Sequence, residues 1–220
     1  LLIEGGVVSR AQLLAADGPG VLRGCDLNGA DLSGLDLSGW RFERCSLKAV
    51  KLVQAVLEGA EFISCRGGFA DFAAVRMADA VLRSCDFNNA RFEGAVLTGA
   101  RIEGCKLTGV DLTRAGVMGV AWVEVILADA RLKGVSFRKA VFQAVDFSGA
   151  DLAGCDFRDA EFERCSLRET HVTGARFEGA DLRGADLGGL RLADVGKFKG
   201  ALVSRAQAAE LVAQLGLRVI

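Results

Sequence analysis

The sequence predicts an all-β solenoid, a square coil of about nine turns with a short helix at each end. Three observations carry that prediction. An apolar residue recurs at every fifth position from Leu22 to Leu202, and of these 37 positions only Gly67 and Lys197 depart from the rule. Six of the seven cysteines (Cys25, Cys45, Cys65, Cys85, Cys105 and Cys165) share one phase of twenty residues, and only Cys155 lies outside it. Seventeen of the 28 glycines fall two residues after an apolar position, while the single proline, Pro19, precedes the first repeat. A strict short period is the mark of a stacked solenoid rather than a mixed globular core. The 220 residues therefore read as one continuous domain.

A period of five matches neither the helix nor the strand. A helix with this spacing would scatter its Leu and Phe around the whole cylinder. The pattern reads instead as one short extended wall and one corner per five residues. The central Leu or Phe points inward, as does a smaller residue two before it, such as Cys25, Ala30, Cys45 or Val50; Leu35 and Trp40 are bulky exceptions. Four walls close a square, and coils stacked at roughly 4.8 Å give a rod of about 45 Å. Glycine suits corners that need a positive φ or a close backbone approach. Proline is excluded because each wall must donate hydrogen bonds to its neighbouring coil.

Residues 1–19 form an N-terminal cap, in which Val8-Ser9-Arg10-Ala11-Gln12 carries the S-x-x-Q of a helix capping box. Residues 20–202 form the coil. At Cys65-Arg66-Gly67-Gly68-Phe69 the central position is glycine and Phe69 is displaced by two, predicting a bend or bulge near 66–69 between a short and a long block. Residues 115–126 keep the frame but turn Met118, Val123 and Ile126 outward. That stretch reads either as β-propensity filling on a wall or as a partner-binding patch. Lys197 followed by Phe198 predicts a one-residue slip that closes the stack.

Residues 203–220 repeat the five letters of the other end, Val203-Ser204-Arg205-Ala206-Gln207. They open a helix over 206–215, with Ala208, Leu211, Val212 and Leu215 on one face and Gly216 as its stop. Leu217, Val219 and Ile220 add an apolar tail. Both ends read as lids against edge pairing. Leu211, Val212, Leu215 and Leu217 exceed what one coil end needs, which predicts a homodimer.

A formal net charge of −1 argues against direct nucleic-acid binding. No apolar run reaches the length of a membrane span, and no signal peptide is visible. The cysteines are odd in number, inward and without C-x-x-C spacing, which suits a cytoplasmic protein. Thiols one coil apart have a spacing compatible with a disulfide. Side chains in register point in parallel, however, so small core thiols are the preferred reading over a disulfide or a metal site. No cofactor is implied. The only histidine, His171, sits at an outward wall position, there is no tyrosine, and charges lie along flat walls. No nucleophile, base and orienter can be assembled from this pattern, so an enzyme is not expected.

Stretches such as Cys25-Asp26-Leu27-Asn28-Gly29-Ala30-Asp31-Leu32 and Ala180-Asp181-Leu182-Arg183-Gly184-Ala185-Asp186-Leu187 resemble the A(D/N)LXX repeat of the pentapeptide-repeat family, over about residues 20–202. The resemblance implies a right-handed quadrilateral β-helix. The short block, the glycine break, the long block and the terminal A-Q-x-x-x-L and L-G-L-x-V resemble the quinolone-resistance branch, which includes the Qnr proteins and a mycobacterial type. That branch implies a cytoplasmic dimeric rod that mimics a DNA duplex, binds DNA gyrase or topoisomerase IV and relieves its inhibition. Many Qnr proteins carry two projecting loops; the unbroken frame leaves no room for either, as in the mycobacterial type.

Outward residues assigned by phase give the four walls net charges of −2, 0, +1 and 0. The −2 wall follows the cysteine column and carries Asp26, Asp86, Asp129, Asp146 and Asp186, the residues expected to face a topoisomerase. Its bias is far below duplex charge density. On the next wall Asp31, Lys51, Asp71, Arg91, Asp111, Arg131 and Asp151 alternate one coil apart, predicting an ion-pair ladder. Two functions remain open: a gyrase-protecting protein, or a non-catalytic scaffold or adaptor unrelated to topoisomerases.

Overall fold

The computed structural model describes residues 1–189 and 196–218. In it the five-residue frame winds into a β-helix of about nine coils. Among the described residues one of the four walls carries a long sheet, and the cysteine-column wall adds a short parallel pair, Cys165–Ser166 with Ala185–Asp186. β1 (Leu2–Glu4), β2 (Val21–Arg23), β3 (Arg41–Glu43), β4 (Glu61–Ile63), β5 (Val81–Arg83), β6 (Arg101–Glu103), β7 (Ala121–Val123), β8 (Val141–Gln143) and β9 (Glu161–Glu163) form a parallel sheet in sequence order. Leu22, Phe42, Phe62 and Leu82 stack in register along it, twenty residues apart. The other walls meet their neighbours mostly through single bridge residues, such as Asp26 with Ser46, Asp31 with Lys51 and Asp36 with Val56.

The first residue of each wall differs in part between the two kinds. On the turn walls it is often aspartate, whose Oδ1 accepts the backbone N–H two residues on: Asn28 N–H to Asp26 at 2.8 Å, Ser33 N–H to Asp31 at 3.0 Å, Thr113 N–H to Asp111 at 3.0 Å. This Asx bond folds the wall into a turn. The corner N–H then closes on the central carbonyl, as Ala30 does on Leu27 at 3.1 Å. On the strand wall the same position holds Val21, Arg41, Glu61, Val81, Arg101, Ala121, Val141 and Glu161. None is an Asp, Asn, Ser or Thr that could make the local bond; Lys51, Val56 and Arg66 open turns without it, so the Asx bond reinforces a turn and does not by itself decide it. Where Asp181 takes that position the turn returns, with Arg183 N–H on Asp181 at 3.1 Å and Ala185 N–H on Leu182 O at 2.9 Å.

Every corner from Gly24 to Gly189 except Gly184 has a positive φ, including Arg44, Ala49, Ser64, Phe69 and Ala144. The central residues inside are buried, and several phenylalanines stack flat. Phe42 lies on Phe62 with ring centroids 4.6 Å apart and an interplanar angle of 2°. Phe72 lies on Phe92 at 4.6 Å and 4°. All seven cysteines are buried and free.

The cysteine column has a structural cause. After the strand wall the corner lacks the turn bond, and the thiol there reaches the central carbonyl of the preceding coil, as Cys155 does on a turn wall with Leu132 O at 3.0 Å. The Sγ of Cys45 donates to Leu22 O at 3.3 Å, that of Cys65 to Phe42 O at 3.3 Å and that of Cys85 to Phe62 O at 3.2 Å. The N–H groups of Cys65 and Cys85 donate to the sulfur of the next coil's cysteine, each at 3.4 Å.

The ladder runs through 66–69 without the expected bulge: Ser46, Arg66 and Asp86 pair in steps of twenty. The ring of Phe87 fills the missing side chain's place, since a Cβ on Gly67 would lie 2.3 Å from its Cε1. Phe69 is a corner residue, 64% exposed, and not a displaced core residue. The slip at Lys197 is present. Phe198 stacks on Phe177 at 4.4 Å, and Asp181 pairs with Leu202, a step of 21 residues. Leu202 is consequently 51% exposed instead of central. The frame position Leu192 lies outside the described residues.

At the N-terminus β1 pairs with β2, Ile3 beside Leu22, so this segment extends the ladder as well as capping it. α1 (Arg10–Leu14) has the capping box of Ser9 and Gln12 and buries Leu13. α2 (Arg205–Ala213) has that of Ser204 and Gln207 and ends two residues earlier than expected. Gln207 also plugs the last coil: its Nε2 donates to Leu182 O at 2.8 Å and to Ala185 O at 2.6 Å. Val219 and Ile220 lie outside the described residues.

Candidate functional site

The wall after the cysteine column stacks Asp26, Ser46, Arg66, Asp86, Lys106, Ile126, Asp146, Ser166 and Asp186 in register. Asp26, Asp129 and Asp186 are exposed, and Asp86 and Asp146 half-buried. Asp26, Asp86 and Asp146 stand three coils apart, about 14 Å at the inter-strand spacing. Four of the five carboxylates cap their own turns, accepting from the N–H of Asn28, Asn88, Ser148 and Gly188. Asp186 also meets Arg168 at 3.2 Å. The Gly188 N–H, and after it Arg168, hold its carboxyl below the usual range. Asp129 is a corner residue with φ 56°, and its Oδ1 would lie 2.5 Å from a Cβ on Gly149 in the coil above. The five acids thus share one wall as separate turn and corner groups with cations between them. Sequence phase located them; their capping bonds depend on local backbone geometry.

The alternating wall stacks as expected, and two of its pairs close, Arg91 with Asp71 at 3.5 Å and Arg131 with Asp111 at 3.3 Å. A tighter network lies on the strand wall, where sequence reasoning missed it. Arg23 bridges Glu4 and Glu43, each at 2.7 Å, and Arg41 joins Glu43 at 2.5 Å and Glu61 at 2.8 Å. Arg23, then Arg41, holds the Glu43 carboxyl below its usual range. The signal was the opposite charges at Arg23, Arg41 and Glu43, Glu61, one coil apart.

Of the outward apolar trio, the structure brings two together. Met118 is 75% exposed, and with half-buried Val123 it lines a cleft of about 870 Å³. Ile126 lies round the corner on the carboxylate wall. The cleft marks a break in the stack. Five backbone bonds that the neighbouring coils make are missing there: from the N–H of Arg114, Val117, Gly119, Ser136 and Val141 to the carbonyls of Lys133, Ser136, Arg138, Ala115 and Val120, respectively. The bridges Gly116–Ser136 and Ala121–Val141 are missing with them.

His171 is exposed and lines a smaller hollow of about 300 Å³ with Glu169 and Lys197. Leu211 and Val212 are half-buried, whereas Leu215 and Leu217 are 60% and 57% exposed. Among the described residues no group of three or more His, Cys, Asp or Glu could hold a metal ion. No helix there is long and apolar enough to cross a membrane.

A rod whose polar groups lie on flat walls around a continuous apolar core is a solenoid built from one short repeat. Residues 115–192 match the profile of a pentapeptide repeat region, and residues 21–44 and 76–114 match that of pentapeptide repeats. Together these take in more than half of the chain, which is a pentapeptide-repeat protein. Among solved structures it is similar to QnrB1, a plasmid-mediated fluoroquinolone resistance protein. A trypsin-treated form of QnrB1 is 23% identical with a TM-score of 0.80, covering 98% of this chain and 100% of its own. The full-length form is 20% identical with a TM-score of 0.73, at 99% of each chain. At these identities the likeness is one of fold. No curated protein matches the chain by sequence.

Proposed function

We propose that this protein is a non-catalytic rod that binds DNA gyrase or topoisomerase IV and protects it from quinolones or natural topoisomerase poisons. The observation that carries this reading is the end-to-end likeness to a fluoroquinolone resistance protein, which takes in the terminal segments as well as the repeats. The rod pairs through its C-terminal end, with Leu211, Val212, Leu215 and Leu217 between two chains. Two rods end to end then span about 90 Å, comparable to some 26 base pairs at roughly 3.4 Å each. Asp26, Asp86, Asp129, Asp146 and Asp186 face the basic groove that otherwise holds DNA. Binding weakens with salt as those charge pairs are screened.

The test is gyrase supercoiling inhibited by a fluoroquinolone, with this protein titrated in. Rescue is expected, and its absence at every concentration overturns the reading. Asp146→Asn with Asp186→Asn removes charge while keeping an oxygen that can cap each turn, so it should weaken rescue without unfolding the rod. A second reading, an adaptor unrelated to topoisomerases, is favoured by the wide spacing of the acids and their use as turn caps. It predicts no effect on gyrase in either form.

A further inference from the structure

We propose that the broken seam between the fifth coil (residues 101–120) and the sixth (121–140) is a peptide-binding site. It takes one extended segment of another protein, apolar at alternate positions and carrying a carboxylate, as an added strand. Four observations converge on this occupant. Both lips of the seam present backbone N–H and C=O groups left without their ladder partners, the groups with which an added strand pairs. The cleft, at about 870 Å³, has the size of a ligand site. Its lining is apolar at Val117, Met118, Val120 and Val141, and its charges are Lys139 and Arg138, the latter also meeting Asp159 at 3.5 Å on the open surface; no carboxylate lines it. Trp122 lines it too, and its buried indole N–H has no acceptor. A peptide carbonyl supplies that acceptor where the added strand parts the seam enough to reach the buried N–H.

The seam has a cause in the sequence. Trp122 occupies a central strand-wall position, where Phe42 and Phe62 stack flat. Its indole instead leans at 40° to Phe142, with centroids 6.4 Å apart, and meets Phe137 edge-on at 6.0 Å. Gly116 opens the turn below with neither the capping aspartate of Asp36 and Asp156 nor the side chain of Val56, Arg76 and Val96, which stack intact on the same wall. A second copy of this chain is a poorer occupant: its exposed apolar stretch at residues 215–218 brings Arg218 toward Arg138 and Lys139, and its Leu2–Glu4 is already paired as β1. The seam and the carboxylate wall are on different sides of the rod, so this proposal stands apart from the topoisomerase reading.

The test uses two capped octapeptides of alternating Val and Thr, one with a central Glu and one with a central Lys. They are titrated into a Trp40→Phe protein, where Trp122 is the remaining one of the two tryptophans. The Glu peptide should change the fluorescence saturably, with a Kd below about 1 mM. It should also slow amide exchange at Gly119 and Val141, read on the wild-type protein as well. The Lys peptide should bind at least about fivefold more weakly, and Arg138→Glu, at an exposed side chain, should reverse that preference. No saturable change, equal binding of both peptides, or protection elsewhere on the rod overturns the proposal. Self-association that protects the same amides without peptide assigns the seam to a second copy and overturns it too.

Discussion

An L-residue in the left-handed region costs roughly 1–2 kcal/mol, yet Arg44, Ala49, Ala144 and many other corner residues adopt it. The ladder bonds that follow each corner hold them there, as Ala144 N–H does on Glu163 O at 2.8 Å. Ala144→Gly should therefore raise the melting temperature, by up to about 1 kcal/mol of stability. Gly149→Ala should lower it by about 1–2 kcal/mol or more, because the added Cβ meets both a φ of +69° and Asp129 Oδ1 at 2.5 Å. A thermal melt of the two variants beside the wild type checks both signs. The column of cysteines was legible from spacing alone, since a phase of twenty is the geometry of the coil. Its reason was not, because each thiol's acceptor lies 23 residues back on another coil. Burial pushes Cys155 up to about 12 and Cys165 up to about 11. Neither is a thiolate at neutral pH, so both should resist Ellman's reagent in the native rod and react once it is denatured.

Among elements, the difference between strand and turn walls was present in the sequence but easily overlooked. Aspartate opens many turn walls, while Val, Arg and Glu recur on the strand wall until Asp181. The seam was half legible: residues 115–126 stood out by composition, but the five absent bonds depend on how Trp122 packs between coils. The spacing Ser204-x-x-Gln207 shows Gln207 as half of a capping box, whereas its second task, plugging the last coil, depends on the fold. Gln207→Leu leaves the carbonyls of Leu182 and Ala185 without these donors and should cost about 1–3 kcal/mol. Faster amide exchange in α2 and a lower melting temperature would register the loss. Turn caps and ion pairs also set an acid limit. Ser33 lowers Asp31, Ser38 lowers Asp36, Arg23 with Arg41 lowers Glu43, and Arg183 lowers Asp181. A carboxyl depressed in the folded state contributes stability above its unfolded value of about 4 and loses it as pH falls through the folded one. Melting temperature should hold near neutral pH and drop steadily below about pH 4.

At the scale of the whole molecule the frame of five carried almost the entire architecture, because a solenoid contacts only its own neighbours. The seam, the exact pairing of charges and the exposure of Leu202 were decided by side-chain bulk and a one-residue slip that no periodic rule contains. The proposed use of the rod includes pairing through its C-terminal apolar group. If the rod pairs as proposed, the wild type should scatter light as a dimer and Leu211→Asp with Leu215→Asp as a folded monomer. A wild type already monomeric at micromolar concentration contradicts that assembly. The most direct measurement of the central claim is a competition: labelled protein bound to gyrase, with linear duplex DNA titrated in. A rod that lies in the DNA groove should be displaced by duplex, and released more readily as salt rises. Binding that persists under saturating DNA, or no binding to gyrase at all, would contradict the account.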